Sequence, residues 1–150
     1  MLLDMEAVTK LSVKSEKSAV EEFLEKMKSI LESEDFNMER DFVFQELRKK
    51  DEPEDPYTNV NTLLALNFDT SDVVKELKKL TVENYCESVV DNVAEGFNVF
   101  YVFGRRVKKR DVYIKVRLKR RVKTQNEFVF CISFHFARRP ITVYPYKKRN

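Results

Sequence analysis

Two periods run through the apolar residues of this chain, and the switch between them falls near residue 97. Val20, Phe23, Leu24, Met27, Ile30 and Leu31 recur at three-and-four spacing with Glu and Lys between them, which predicts an amphipathic helix facing a core. Ser15 or Ser18 is placed to cap it. Phe42, Val43 and Phe44 predict a short strand, and the charged stretch Lys49 to Tyr57, with Pro53 and Pro56, predicts a loop. Residues 60–66 read as a short helix that buries Leu63, Leu64 and Leu66. Asp69, Thr70 or Ser71 caps a further helix carrying Val73, Val74, Leu77 and Leu80, and Val82 and Tyr85 extend its apolar face by one more turn. Residues 1–14 show weak periodicity and read as an N-terminal arm or a short extra element.

Beyond Phe97 the period is two. A first run spans Phe97 to Phe103 and ends at Gly104. In the second, Val112, Ile114, Val116 and Leu118 alternate with Tyr113, Lys115 and Arg117. In the third, Phe128, Phe130, Ile132, Phe134 and Phe136 form one apolar face, and Val129, Cys131, Ser133 and His135 form the other. The connectors Arg105–Arg110 and Lys119–Asn126 suit antiparallel hairpins. The expected fold is α+β, with N-terminal helices packed on one side of a C-terminal antiparallel sheet. Residues 1–150 read as a single domain, because neither side of the proline loop has a core of its own.

Composition removes several function classes. No apolar run approaches the ~18 residues of a membrane span, and Met1 to Lys10 lacks the pattern of a signal peptide. A cytoplasmic protein is expected, with Cys86 and Cys131 reduced. His135 is the only histidine, so a zinc site is not expected. With two glycines in the chain, neither a P-loop nor a dinucleotide fingerprint can form, and no cofactor is expected.

Charge changes the picture most. Residues 96–150 carry 16 Lys/Arg against 2 Asp/Glu, whereas residues 1–95 carry 12 against 23. So basic a segment is the electrostatic footprint of a polyanion partner, and RNA is the expected one. The cations cluster in the connectors: Arg105, Arg106, Lys108, Lys109 and Arg110 in the first, and Lys119, Arg120, Arg121 and Lys123 in the second. Strand parity places Tyr113, Lys115, Arg117, Ser133 and His135 together on the face away from the helices. That set suffices for metal-free RNA cleavage. His135 can move the proton of the 2′-OH, Lys115 and Arg117 can hold the phosphate, and Tyr113 can donate to it or stack on a base. Neighbouring cations would favour the neutral imidazole.

The string Val102-Phe103-Gly104, seven residues, then Val112-Tyr113-Ile114-Lys115 resembles the MqsR-family toxins of bacteria. Cys131-Ile132-Ser133-Phe134-His135, the closing Pro140…Tyr144-Pro145-Tyr146 and the segment Leu80-Thr81-Val82-Glu83-Asn84-Tyr85 are similar to the same group. The resemblance covers about residues 20–146. It implies a RelE-superfamily fold and a metal-independent endoribonuclease that cuts mRNA, on or off the ribosome, and is neutralised by a cognate antitoxin protein. By position, the family's strand tyrosine corresponds to Tyr113. His135 stands where the better-known branch has a lysine, Cys86 stands where that branch has another, and its catalytic glutamine has no counterpart. The alternative expectation is a non-catalytic module of the same fold that binds RNA or the ribosome and is regulated by an acidic protein.

Overall fold

The computed structural model describes residues 10–93 and 96–148. Its core forms between one layer of helices and one face of a six-stranded sheet, so the α+β class holds. Helix α1, Lys17–Leu31, buries Val20, Phe23, Leu24, Met27 and Leu31. Phe23 stacks on Tyr101 of the sheet, with ring centroids 4.2 Å apart. Glu16 stands at the cap position and its side chain makes no cap bond. Ser15 is used elsewhere: its amide donates to Tyr85 Oη at 2.9 Å and its hydroxyl pairs with Ser88 Oγ at 2.7 Å.

A short helix α2, Met38–Asp41, leads into the strand β2, Phe42–Phe44. Helix α3, Asn59–Leu66, is capped by Thr58, and α4, Thr70–Lys78, by a reciprocal Asp69–Asp72 capping box. Leu63 and Leu66 are buried as expected, but Leu64 is 71% exposed, because it falls on the solvent side of the α3 turn. The helical continuation through Tyr85 does not form. One 3₁₀ turn, Val82–Asn84, gives way to a strand, β3, Tyr85–Val93.

The other strands are β1, Lys10–Val13; β4, Gly96–Val107; β5, Arg110–Arg120; and β6, Glu127–Phe136. Their order is β1-β3-β4-β5-β6-β2. Every pairing is antiparallel except β2 with β6, which is parallel. Residues 10–13 of the N-terminal segment are thus an edge strand; residues 1–9 of the expected arm lie outside the described residues.

β4 continues through Gly104 to Val107, so Arg105 and Arg106 are strand residues and the turn to β5 is Lys108–Lys109 alone. Both turn residues have positive φ, 50° and 71°, the signature of a two-residue type I′ hairpin.

β6 departs from simple alternation. Lys115 pairs with Ser133 but Val116 pairs with Cys131, so Ile132 is a bulge residue. The parity of β6 reverses there. Phe134 and Phe136 face the helices, as do Val129 and Cys131, and Phe128 and Phe130 turn to the opposite face. The expected continuous apolar face of five residues is therefore split in two. Asn59 of α3 serves the backbone around the bulge. Its Nδ2 donates to Gln45 O at 2.7 Å and Ile132 O at 3.0 Å, and its Oδ1 accepts from Phe134 N at 3.0 Å. Thr62 Oγ1 accepts from Phe136 N at 3.0 Å. Side chains of α3 thus satisfy the edge of β6 where β2 has ended.

After β6 the chain crosses the outer face, the one without helices. Ile141 N donates to Asp111 Oδ2 at 2.9 Å, Tyr144 lies against Gly104, and Tyr146 Oη donates to Ser15 O at 2.6 Å.

Candidate nucleic-acid interface

The β5–β6 register brings Tyr113 directly opposite His135, and Lys115 opposite Ser133, on the outer face. Arg117 follows on the same face, opposite Phe130. The five residues grouped by parity therefore lie together. The rings of Tyr113 and His135 stack, with centroids 5.2 Å apart and planes 16° apart.

His135 is half-buried, and its Nδ1 lies 3.1 Å from Phe136 O. A carbonyl oxygen only accepts, so Nδ1 carries a proton and the neutral ring keeps its basic lone pair on Nε2. Burial pulls the imidazole pKa below its ordinary 6.5; the Phe136 bond opposes this, and the charges of Arg48 and Arg138 add to it. Burial thus outweighs the neighbouring cations expected to set that shift. Burial also pushes the Tyr113 phenol up to about 12, with Glu87 and Cys86 adding to it. Tyr113 is therefore a hydrogen-bond donor at neutral pH. Burial likewise holds the Cys86 thiol at about 12, so it is not a nucleophile. Cys86 and Cys131 are both free thiols.

Lys115 is only 7% exposed, with Nζ 4.8 Å from the Phe100 ring centre. Arg117 lies over the same ring at 5.4 Å. Lys119 sits over Phe130 at 5.0 Å and Arg121 over Phe128 at 4.4 Å. Arg121 also donates to Arg40 O at 2.9 Å. Arg120 pairs with Glu127 at 3.7 Å, and Lys123 is exposed.

The cations of the β4–β5 connection are arranged otherwise. Arg105 points into the helix layer and bonds the buried Glu76 at 2.8 Å. Lys108 donates to Leu66 O at 2.7 Å and lies over Phe68. Arg110 covers the Phe136 ring at 3.5 Å. Arg106 pairs with Asp111 at 3.3 Å, and Lys109 is exposed. The two basic turns also occupy opposite ends of β5, so its 11 residues hold them about 35 Å apart rather than around one rim.

Arg48 and Arg138 were not among the residues singled out from the sequence. Both line a cleft with Gln45, Asp51 and Asp55, and the charge of each reaches His135. The signal was the basic triplet Arg48-Lys49-Lys50 ahead of the proline loop, which reads as a solvated turn until β2 is placed beside β6. Among the described residues no group of three or more His, Cys, Asp or Glu is placed to hold a metal ion. Among them, too, no helix is long and apolar enough to cross a membrane.

The features above define an α+β protein with a cationic, aromatic outer sheet face. No family model, curated protein or solved structure matches the chain.

Proposed function

We propose that the chain is a metal-independent endoribonuclease of the MqsR/RelE type, a toxin that cuts mRNA in the cytoplasm and is held in check by a cognate antitoxin. One observation carries this reading: the Tyr113–His135 pair, with a basic Nε2, stands at the head of a row of cations on the outer face. In the proposed reaction His135 Nε2 takes the proton of a ribose 2′-OH. The 2′ oxygen attacks the adjacent phosphorus and the bond to the 5′ oxygen breaks. Lys115 and Arg117 stabilise the added negative charge. The Tyr113 phenol, with a pKa of about 12, is a stronger acid than water and supplies the proton to the departing 5′ oxygen. The products are a 2′,3′-cyclic phosphate and a 5′-hydroxyl, and atoms and charge balance without a metal or cofactor.

Purified protein is expected to cut single-stranded RNA in EDTA and leave those ends. His135→Ala is expected to slow cleavage by about 10²-fold or more. Intact RNA at high protein concentration, or equal cutting by the variant, overturns the catalytic assignment.

A second reading has its own support. The stacking of His135 under Tyr113 leaves the ring partly covered, which suits an RNA- or ribosome-binding module regulated by an acidic partner. That reading gives salt-sensitive RNA binding without turnover.

A further inference from the structure

The bulge at Ile132 turns Phe128 and Phe130 outward, where they meet the cations of β5. The outer positions of β5 alternate, so Lys115, Arg117 and Lys119 follow one another about 6.6 Å apart, and Arg121, the first residue past the strand, continues the row over Phe128. Each head lies over a ring: Lys115 and Arg117 over Phe100, Lys119 over Phe130, Arg121 over Phe128. A cation held on an aromatic face has already lost much of its rotamer freedom, so a ligand that meets it costs less ordering. At one end the row reaches the Tyr113–His135 pair, beside which Tyr144 covers Gly104, the β4 partner of Tyr113. At the other end it opens at the connection 121–126.

We propose that this row is a binding track for the phosphates of an unpaired RNA strand, entering at residues 121–126 and ending at the Tyr113–His135 pair. The proposal rests on the RNA reading above and adds the path of the strand and the residues that hold it. A straight row on one β-strand can follow a flexible single backbone, whereas the two phosphate rails of a duplex wind away from it after a few residues. Phe130 is the ring of the three that is part-exposed, and it offers a base a stacking face beside Lys119. The track lies on one side of the reacting pair, so it grips nucleotides on one side of the cut.

The test uses the wild-type protein and a single-stranded 12-mer with 2′-O-methyl riboses, which cannot be cut. Affinity is measured over a range of salt. Each phosphate contact of the strand contributes about −0.7 to the log–log slope. Lys119→Ala is expected to weaken binding and flatten the slope by about 0.7. Phe130→Leu is expected to weaken binding severalfold at unchanged slope, because the number of cations stays the same. Lys26→Ala, on the exposed side of α1, is expected to change neither. An unchanged slope and affinity for Lys119→Ala while wild type binds overturns the track but leaves the RNA reading standing. Equal affinity for a duplex of the same length overturns the strandedness. Failure of wild type to bind any RNA overturns the reading on which the track rests.

Discussion

A methyl group at Gly104 would have to displace the tips of Tyr144 and Ile141. A Cβ there would stand 2.4 Å from Tyr144 Oη and 2.9 Å from Ile141 Cδ1. The glycine of the Val-Phe-Gly string therefore lets the C-terminal segment lie flat on the sheet. Gly104→Ala is expected to cost about 1–3 kcal/mol in urea unfolding, and Tyr144→Ala in the same chain is expected to recover part of it. Additive losses in the double variant would contradict this coupling. Arg105 is a second residue whose role the structure revises. Burial draws the Glu76 carboxyl upward, but hydrogen bonds from Arg105 and Lys79 outweigh it, so its pKa lies below the ordinary 4.5. A depressed carboxylate stabilises the fold above its unfolded pKa, and that contribution disappears as pH falls through the folded value. Arg105→Ala is thus expected to lower the melting temperature at pH 7 and to lessen the loss of stability on acidification below about pH 4.5. It should leave the salt dependence of RNA binding unchanged. For His135 the folded pKa lies below 6.5, so the free base persists into mildly acidic solution. The acid limb of the pH–rate profile is therefore expected to have its midpoint below 6.5, and a midpoint above 6.5 would contradict the assignment of His135 as the base.

At the scale of elements, α3 and the bulge of β6 form a unit. Asn59 is 2% exposed and spends all three of its observed hydrogen bonds on the backbone of β6 and the residue after β2. Asn59→Ala leaves those buried groups unpaired and is expected to cost about 3 kcal/mol in chemical denaturation. Asn59→Asp keeps the acceptor to Phe134 N but sets a buried carboxylate oxygen against Gln45 O and Ile132 O, and is expected to cost at least as much; equal stability of all three proteins would contradict the role given to α3. The same elements show what the sequence made legible. α1 and β5 were readable because each buries a single clean stripe with charge on the far side. β6 was not, because alternating phenylalanines look alike whether or not an extra residue interrupts them, and only the register with β5 exposes Ile132. β3 was hidden for a different reason. Ser88 points into the core, where its hydroxyl meets Tyr85 Oη at 2.7 Å, so the inner face carries a polar residue and the period is lost. The shared face of Tyr113, Lys115, Arg117, Ser133 and His135 followed from parity alone, since β5 alternates without interruption and Ser133 and His135 lie on the same side of the bulge in β6. Phe128 and Phe130 lie on the other side of it and were assigned to the core face for that reason.

Across the whole molecule, the positive charge of the C-terminal part divides into two uses. Near the β4–β5 turn, Arg105 and Lys108 fasten the sheet to the helices and Arg110 covers Phe136 of β6. Toward the β5–β6 connection, Lys119 and Arg121 lie on the outer face over aromatic rings. Reversing charge at the two ends should therefore give different phenotypes. Lys108→Glu is expected to lower the melting temperature, because a carboxylate cannot donate to Leu66 O. Lys119→Glu is expected to leave melting within about 0.5 kcal/mol of wild type and to weaken RNA binding at low salt by tenfold or more. Matching losses of stability in the two variants would mean that the outer row is structural as well.

The parallel pairing of β2 with β6 has a consequence for the order in which the protein is made. Phe42 finds its partner only when Val129 has emerged, and the apolar stripe of α1 is fully covered only when β4 and β6 are both in place. Roughly 100 residues separate these events, which is about 5–20 s of translation at ordinary elongation rates. Through that interval the nascent chain shows an uncovered apolar helix and an acidic leading part to any chaperone at the exit tunnel. β5 and β6, which carry the outer face, come last. The surface assigned to RNA therefore comes into being in the same step that closes the core, and an incomplete nascent chain displays neither.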